Sequence, residues 1–226
     1  MLHASAGPLT VECDPPFLIV RLPTDCLTLG WSLSRPGFAE ASTVAWLEVR
    51  NADLTPDIDP LLLLRRKLET RGLGDAIAFM TSRDIRRHHV AQRHVDDVVA
   101  CCVATVGLAN GEAIGARRRV EAFPGTINTL VHVSRPLSQG AFVEAVSIAA
   151  QARTAAILDT AHLRDGPPIT GTGTDCIVVA APLGRDAESC AGLHTALGEA
   201  IGGSVYDAVR AGAETWSADM KERTSA

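Results

Sequence analysis

Residues able to do chemistry in this chain sit beside glycines. The stretch GPPITGTGTDCIVVAAP, residues 166–182, sets Gly171, Thr172, Gly173, Thr174 and Asp175 directly ahead of the apolar run Ile177–Ala181. Glycines allow backbone conformations that leave N–H groups aimed at an oxyanion. Asp175 brings a carboxylate that can serve as general base or orient a histidine. The same residues also make an ordinary turn in which Asp and Thr side chains cap their own backbone. A phosphate cradle fits poorly, because such loops leave a strand and open a helix. Here the loop precedes a strand, and Cys176 stands where the dinucleotide spacing needs glycine.

Three further clusters compete for attention. GLHTALGEAIG (192–202) puts His194 in the first turn of a helix and Glu199 five residues on. The two lie roughly 140° apart on a helix, so they do not share a face as paired metal ligands would. FPGTIN (123–128) offers Thr126 and Asn128, alternating out of a strand, and an Asn carboxamide can hold a substrate amide or donate to an oxyanion. His88, His89 and His94 with Asp96 and Asp97 form a local polar group; on a strand His88 and His94 share one face and His89 the other. Metal binding would need convergence that this spacing does not supply, and no metal is expected.

The elements that must position these residues follow from periodicity and punctuation. Apolar runs at 9–13, 17–22, 26–33, 42–50, 76–80, 89–95, 97–107, 125–134 and 177–181 read as strands, separated by proline- and aspartate-containing turns. Asp59-Pro60 opens a helix over 59–71. Ser138 opens a second over 138–160, with Phe142, Ala145, Val146, Ala149, Ala152, Ala156 and Ile157 on one face and Glu144, Gln151 and Arg153 off it. A third runs over about 191–215, where Gly202-Gly203 predicts close backbone packing. Residues 217–226 are polar and read as a frayed tail. Strands early and helices late give an α+β fold: one domain, 1–226, with a mainly antiparallel or mixed sheet covered by three or more helices.

Composition narrows the partners. The 226 residues carry a formal charge of −5 and only 4% aromatics, which disfavours nucleic acid as a partner. Arg86-Arg87-His88-His89 and Arg117-Arg118-Arg119 are short and read as solvated surface. The run Val98–Ala109 is too short to span a bilayer as a helix, and the start has no signal-peptide pattern. The six cysteines form no C-x-x-C pair and read as reduced thiols in a cytoplasmic protein. No membrane partner is expected; a homo-oligomer is compatible with the sequence.

In order and spacing, ATVGLANG (104–111), GTIN (125–128), GTGTDCIVV (171–179) and HTALGEAIG (194–202) resemble the adenosylcobinamide amidohydrolases of corrinoid salvage. LGWSLSRPGFAEASTVAWLEV and GDAIAFMTSRDIRRH resemble the family's front half, so the likeness spans about 25–210. It implies hydrolysis of the amide between a corrin propionyl arm and aminopropanol. The corrinoid would be a small-molecule substrate, with no cofactor. On that footing Asp175, His194 and Thr174 are the expected catalytic residues, and Thr126, Asn128, Gly171, Thr172, Gly173 and Glu199 are expected to bind substrate. The nucleophile is left open among water, Cys176, and a threonine (Thr126 or Thr174) freed by self-cleavage after its glycine. One departure stands out: the family pattern has lysine after His-Thr, and this chain has Ala196. Two other readings fit the same residues, a corrinoid-binding module without catalysis and a hydrolase of a smaller amide.

Overall fold

A computed structural model describes residues 2–6, 8–116, 125–163 and 167–225. Arg117–Arg119 and Phe123-Pro124, singled out above, lie outside the described residues. The chain runs through β1 (Leu2–Ala6), β2 (Leu9–Asp14), β3 (Phe17–Gly30), β4 (Gly37–Glu48), α1 (Pro60–Thr70), β5 (Ile77–Thr81), β6 (His88–Val95), β7 (Val98–Val106), β8 (Gly111–Glu112) and β9 (Ile127–Val133). It continues through α2 (Gln139–Asp159), β10 (Gly171–Thr172), β11 (Cys176–Pro182) and α3 (Ala196–Ser225). Nine strands form one mixed sheet in the order β1-β2-β3-β11-β9-β7-β6, with β4 bridging β3 and β5. Among the described strands only β4–β5 and β9–β11 pair in parallel; β8 and β10 form a separate small ladder. The α+β reading, with a mixed sheet and three α-helices, matches this architecture.

The long strand β3 organises the sheet. Its first half, Phe17–Arg21, pairs with β2 and β4, and its second half, Cys26–Gly30, pairs with β11 and β4. A register shift between Arg21 and Cys26 lets the strand bend there. The sheet therefore doubles over, and side chains divide by strand parity into three apolar layers. Ala100, Cys102, Val106, Val131, Val133, Ile177 and Val179 pack under α2 and α3. Their neighbours Cys101, Val103, Leu130, Val178 and Ala180 point the other way, against Val20, Val44, Trp46, Ile77 and Phe79 of the opposite half. Leu64 and Leu68 of α1 cover the outer face of that half.

The first two helices begin where their sequence signals, and α3 begins at Ala196, later than the start near 191 read from the sequence. Asp59 accepts from the N–H of Leu61 (2.8 Å) and Leu62 (3.3 Å), with Pro60 in the first turn. Ser138 accepts from Ala141 N–H at 3.2 Å. Thr195 accepts from Gly198 N–H at 2.9 Å and so caps α3. Among the described helices α2 has a length and hydropathy that could cross a membrane, but Ala141, Phe142, Ala145, Ile148 and Ala149 are buried in the core.

Two expectations change. Residues 217–225 are the last turns of α3, not a frayed tail, because Asp219 pairs with Arg83 (2.6 Å) and Arg87 (3.3 Å). The tight contacts of α3 fall at Gly198 and Gly212, where a Cβ would stand 2.2 Å from Gly192 O and 2.5 Å from Val106 Cγ2; Gly202 has ordinary space beside Ile148 and Gly203 lies under the Arg93 stem.

The inner layer holds a buried histidine. His132 on β9 is 3% exposed, and neither ring nitrogen has a hydrogen-bond partner among the described residues. Burial pushes its pKa down to about 4, so the ring packs neutral. The unfolded chain, with an ordinary histidine, binds a proton that the fold excludes. Its contribution is therefore present above the ordinary pKa near 6.5 and is lost as pH falls from there towards 4. The loss should reach roughly 3 kcal/mol at about 1.4 kcal/mol per pH unit. Urea unfolding from pH 7 to 4 should show this slope in the parent chain and a flatter one in His132→Leu; equal slopes would remove the assignment.

Candidate active site

Three of the quoted motifs meet at one end of the doubled sheet, where β7 ends and β9 and β11 begin. ATVGLANG closes β7 with a turn that lies on GTIN: Gly107 N–H donates to Thr126 O at 3.0 Å. A Cβ on Gly125 would stand 2.9 Å from Asn110 N and 3.0 Å from Gly107 O, so only glycine fits ahead of Thr126. The Gly-Thr loop comes in from the other side. Gly173 N–H donates to Asn110 O at 3.2 Å, and Gly171 and Thr172 pair with Glu112 and Gly111.

Asp175 locks these pieces together. Its carboxylate accepts from Arg153 Nη1 at 2.7 Å, Thr172 N–H at 3.0 Å, Ile127 N–H at 3.1 Å and the Thr172 hydroxyl. Its side chain is 6% exposed. Burial raises the carboxyl above its ordinary pKa, against the opposing pull of Arg153 and the Thr172 and Ile127 donors. A Cβ on Gly171 would stand 2.5 Å from Asp175 Oδ2, which explains that glycine by close approach. With four donors on two oxygens, Asp175 anchors the loop and has no free lone pair suited to a base's work. Nor are the loop's N–H groups free for an oxyanion at Thr172 and Gly173, since Asp175 and Asn110 hold them.

On the cavity side of the loop two threonines face one another. The Thr126 hydroxyl donates to Thr174 O at 2.7 Å, and the Thr174 hydroxyl donates to Gly125 O at 3.1 Å. Asn128, 1% exposed, donates to Met80 O at 2.9 Å and so ties β9 to β5 across the mouth of the doubled sheet. Thr126, Thr174, Gly125, Asn110, Cys176, Ser82, Met80 and Leu33 are among the residues lining an open cavity of about 410 Å³. Its wall is mostly apolar, with Val49 and Leu54 completing it. Beside Cys176, the Trp31 indole N–H donates to Asp175 O at 2.5 Å. The Cys176 thiol is pushed up to about 11, first by burial and then by Asp175, so it is no activated nucleophile at neutral pH. A second cavity of about 300 Å³ lies behind the loop and is lined by Arg153, Glu112, Thr170 and Thr172.

His194 and Glu199 are not brought to this cluster. β11 carries the chain from Cys176 to Pro182 at the opposite end of the sheet, a run of roughly 20 Å. The segment beyond is tied to the start of α2 by Ser138 N–H to Glu188 O (2.9 Å) and Ala191 N–H to Glu144 (2.6 Å). His194 is exposed in that segment, and Glu199 is exposed in the first turn of α3. The HTALGEAIG motif there builds the helix start: Thr195 caps it, and a Cβ on Gly198 would stand 2.2 Å from Gly192 O. Ala196 belongs to the same far end. His88, His89 and His94 alternate along β6; His88 Nδ1 lies 2.7 Å from Ile85 O and His94 contacts Gln92. No group of three metal-ligating side chains occurs among the described residues. Residues not singled out individually complete the site: Asn110, Met80 and Ser82, all inside quoted motifs, and Arg153, whose only sign was a charge off the apolar face of α2.

Hydroxyl and carboxamide groups gathered at an apolar cavity mouth make this the leading candidate site among the described residues. The adenosylcobinamide amidohydrolase family model matches residues 4–221, and the chain belongs to that family. An adenosylcobinamide amidohydrolase from Halobacterium salinarum is 35% identical over 137 residues. That alignment covers 54% of this chain and 54% of the relative, so the chain matches about half the length of that protein. Among solved structures, the PH0078 protein from Pyrococcus horikoshii OT3 aligns at a TM-score of 0.45 with 11% identity, over 87% of this chain and 76% of its own. A Burkholderia sp. beta-aminopeptidase aligns at 0.43 with 10% identity, over 98% and 89%.

The anchoring role of Asp175 has an energetic signature. Asp175→Asn strands Arg153, whose side chain is 16% exposed, and should cost roughly 3 kcal/mol of stability. Arg153→Met and the double variant complete a cycle whose coupling should be about 1–3 kcal/mol. Additive losses in urea unfolding would show that the pair does not hold the loop.

Proposed function

We propose that the protein hydrolyses the amide joining the corrin propionyl arm of adenosylcobinamide to aminopropanol, releasing adenosylcobyric acid and 1-amino-2-propanol. The observation that supports this most is the convergence of three of the family's motifs on one cavity bearing Thr126, Thr174 and Asn110. An amide is a poor electrophile with a poor leaving group, so a site must bring a nucleophile, an oxyanion donor and an acid for the amine. Thr126 and Thr174 supply hydroxyls at the cavity floor, and the Asn110 carboxamide lies beside them as a donor for the developing oxyanion. Asn128 fixes the distance between the two halves of the sheet at this point.

A cavity of about 410 Å³ does not enclose a corrin ring. It accommodates the amide-bearing arm, while the ring lies on the rim, where Trp31 (43% exposed) and Leu33 (40% exposed) present apolar surface. The same volume supports a second reading, a hydrolase of a smaller amide. A corrinoid-binding module without catalysis draws its support only from Ala196, which lies at the other end of the sheet.

Purified protein incubated with adenosylcobinamide should yield cobyric acid and free aminopropanol by mass. Asn110→Ala should lower turnover by about 10²–10³-fold, the usual effect of losing one oxyanion donor. His194→Ala should leave turnover unchanged. Loss of activity in His194→Ala with Asn110→Ala unaffected would move the site to the far end of the sheet. Binding without product would favour the module, and neither binding nor product would favour a smaller substrate.

A further inference from the structure

Among the described residues, the cavity that holds the threonines has no base. Among its lining residues the one group that titrates is the Cys176 thiol, which burial pushes up to about 11. Asp175 lies behind the loop with its oxygens occupied, and no histidine or free carboxylate faces the cavity from the described residues packed around it. Hydroxyl nucleophiles without a base are poor catalysts of amide hydrolysis. A group that would supply one is already present in masked form, as the backbone nitrogen of Thr126.

We propose that the chain cleaves itself between Gly125 and Thr126, and that the α-amine so released is the general base for the Thr126 hydroxyl. The inference rests on the amidohydrolase reading given above. Three features of the geometry carry it. The Thr174 hydroxyl donates to Gly125 O at 3.1 Å, polarising the carbonyl that would be attacked and standing ready to hold its oxyanion. Gly125 is clamped by the 107–110 turn, with Asn110 N and Ala109 N at 2.9 and 3.0 Å from where a Cβ would be. Thr126 is 6% exposed, with its hydroxyl fixed on Thr174 O at 2.7 Å and its backbone O on Gly107 N–H at 3.0 Å, so the new terminus would stay in place after cleavage. Thr174 lacks this arrangement, because Gly173 is exposed and its N–H is bonded to Asn110 O.

The step balances with water as the co-reactant. Thr126 Oγ1 adds to the Gly125 carbonyl carbon, the C–N bond breaks, and the hydroxyl proton goes to the departing nitrogen. The product is an ester between Gly125 and Thr126 with a free α-amine. Water then hydrolyses the ester, leaving a Gly125 carboxylate and restoring the Thr126 hydroxyl. An α-amine titrates at about 8 in ordinary peptides, close enough to neutrality to accept the hydroxyl proton during turnover.

The test is the intact mass of the purified full chain, followed over days at neutral pH, without substrate. Two copurifying fragments, 1–125 and 126–226, with Thr126 at the new terminus, are expected. Thr126→Ser should still be cleaved, Thr126→Ala should remain one chain with the parent's thermal unfolding, and Thr174→Val should slow cleavage by about 100-fold. A parent chain that stays whole overturns the proposal, and one that stays whole while hydrolysing adenosylcobinamide does so without harming the amidohydrolase reading. Cleavage that persists in Thr126→Ala also overturns it. Cleavage with no hydrolysis of any amide would sustain self-processing and remove the amidohydrolase reading.

Discussion

The buried carboxylate of Asp175 is the contact on which the working end of this protein depends. One charged group joins three parts of the chain that are far apart in sequence: the Gly-Thr loop through Thr172, the start of β9 through Ile127 N–H, and α2 through Arg153. A carboxylate left alone at that depth would be costly, and Arg153 with three further donors offsets the cost. The specificity of the arrangement matters more than its net energy. Two oxygens with fixed lone-pair directions set where Thr172 and Ile127 lie, and the residues next to them, Thr174 and Thr126, are thereby placed within hydrogen-bond reach of each other.

The cavity itself is a consequence of how the sheet doubles. Two halves of a sandwich part at their ends unless something bridges them, and here the bridges are polar. Asn128 on β9 donates to Met80 O on β5, and Ser34, in the segment after β3, accepts from Ala78 N–H at 2.7 Å. The same segment reaches β11 through Trp31, whose backbone N–H donates to Ile177 O at 3.3 Å and whose indole donates to Asp175 O. The mouth is thus held open at a fixed width, with backbone carbonyls satisfied and an apolar rim. Under the proposed function, a substrate arm entering there would meet a wall already solvated by protein dipoles, which is what preorganisation requires.

Much of this was legible in the sequence, and the pattern of what was not is physical. Helix starts at Asp59 and Ser138 were readable because capping is local, and strands such as 176–182 because buried runs rich in β-branched residues have few other uses. ATVGLANG, GTIN and GTGTDC stood out through their family resemblance, and their glycines mark close backbone approach at Gly125 and Gly171. What could not be read was which motifs share an end of the sheet. HTALGEAIG has the same mixture of glycine, hydroxyl and charge, yet its Thr195 and Gly198 shape a helix start. Arg153 and Glu144 looked alike on α2, both off its apolar stripe; one anchors Asp175 and the other accepts from Ala191 N–H. The ordered end of α3 escaped notice because it depends on Asp219 finding Arg83 and Arg87, partners about 130 residues earlier in the chain.

The separation of the two polar ends also bears on Ala196. A lysine at the first residue of α3 would stand at the end of the sheet opposite Thr126. There it would meet the positive end of the α3 dipole, where a cation is disfavoured, whereas alanine packs partly buried against the core. The alanine is therefore compatible with an intact site at the opposite end, and it relieves an electrostatic cost at this one. The residues that differ in kind between the two ends follow the same logic. Where the chain must pin a helix it uses a hydroxyl cap and a glycine contact open to solvent. At the cavity end it buries a charge, surrounds it with donors, and leaves the hydroxyls facing the cavity.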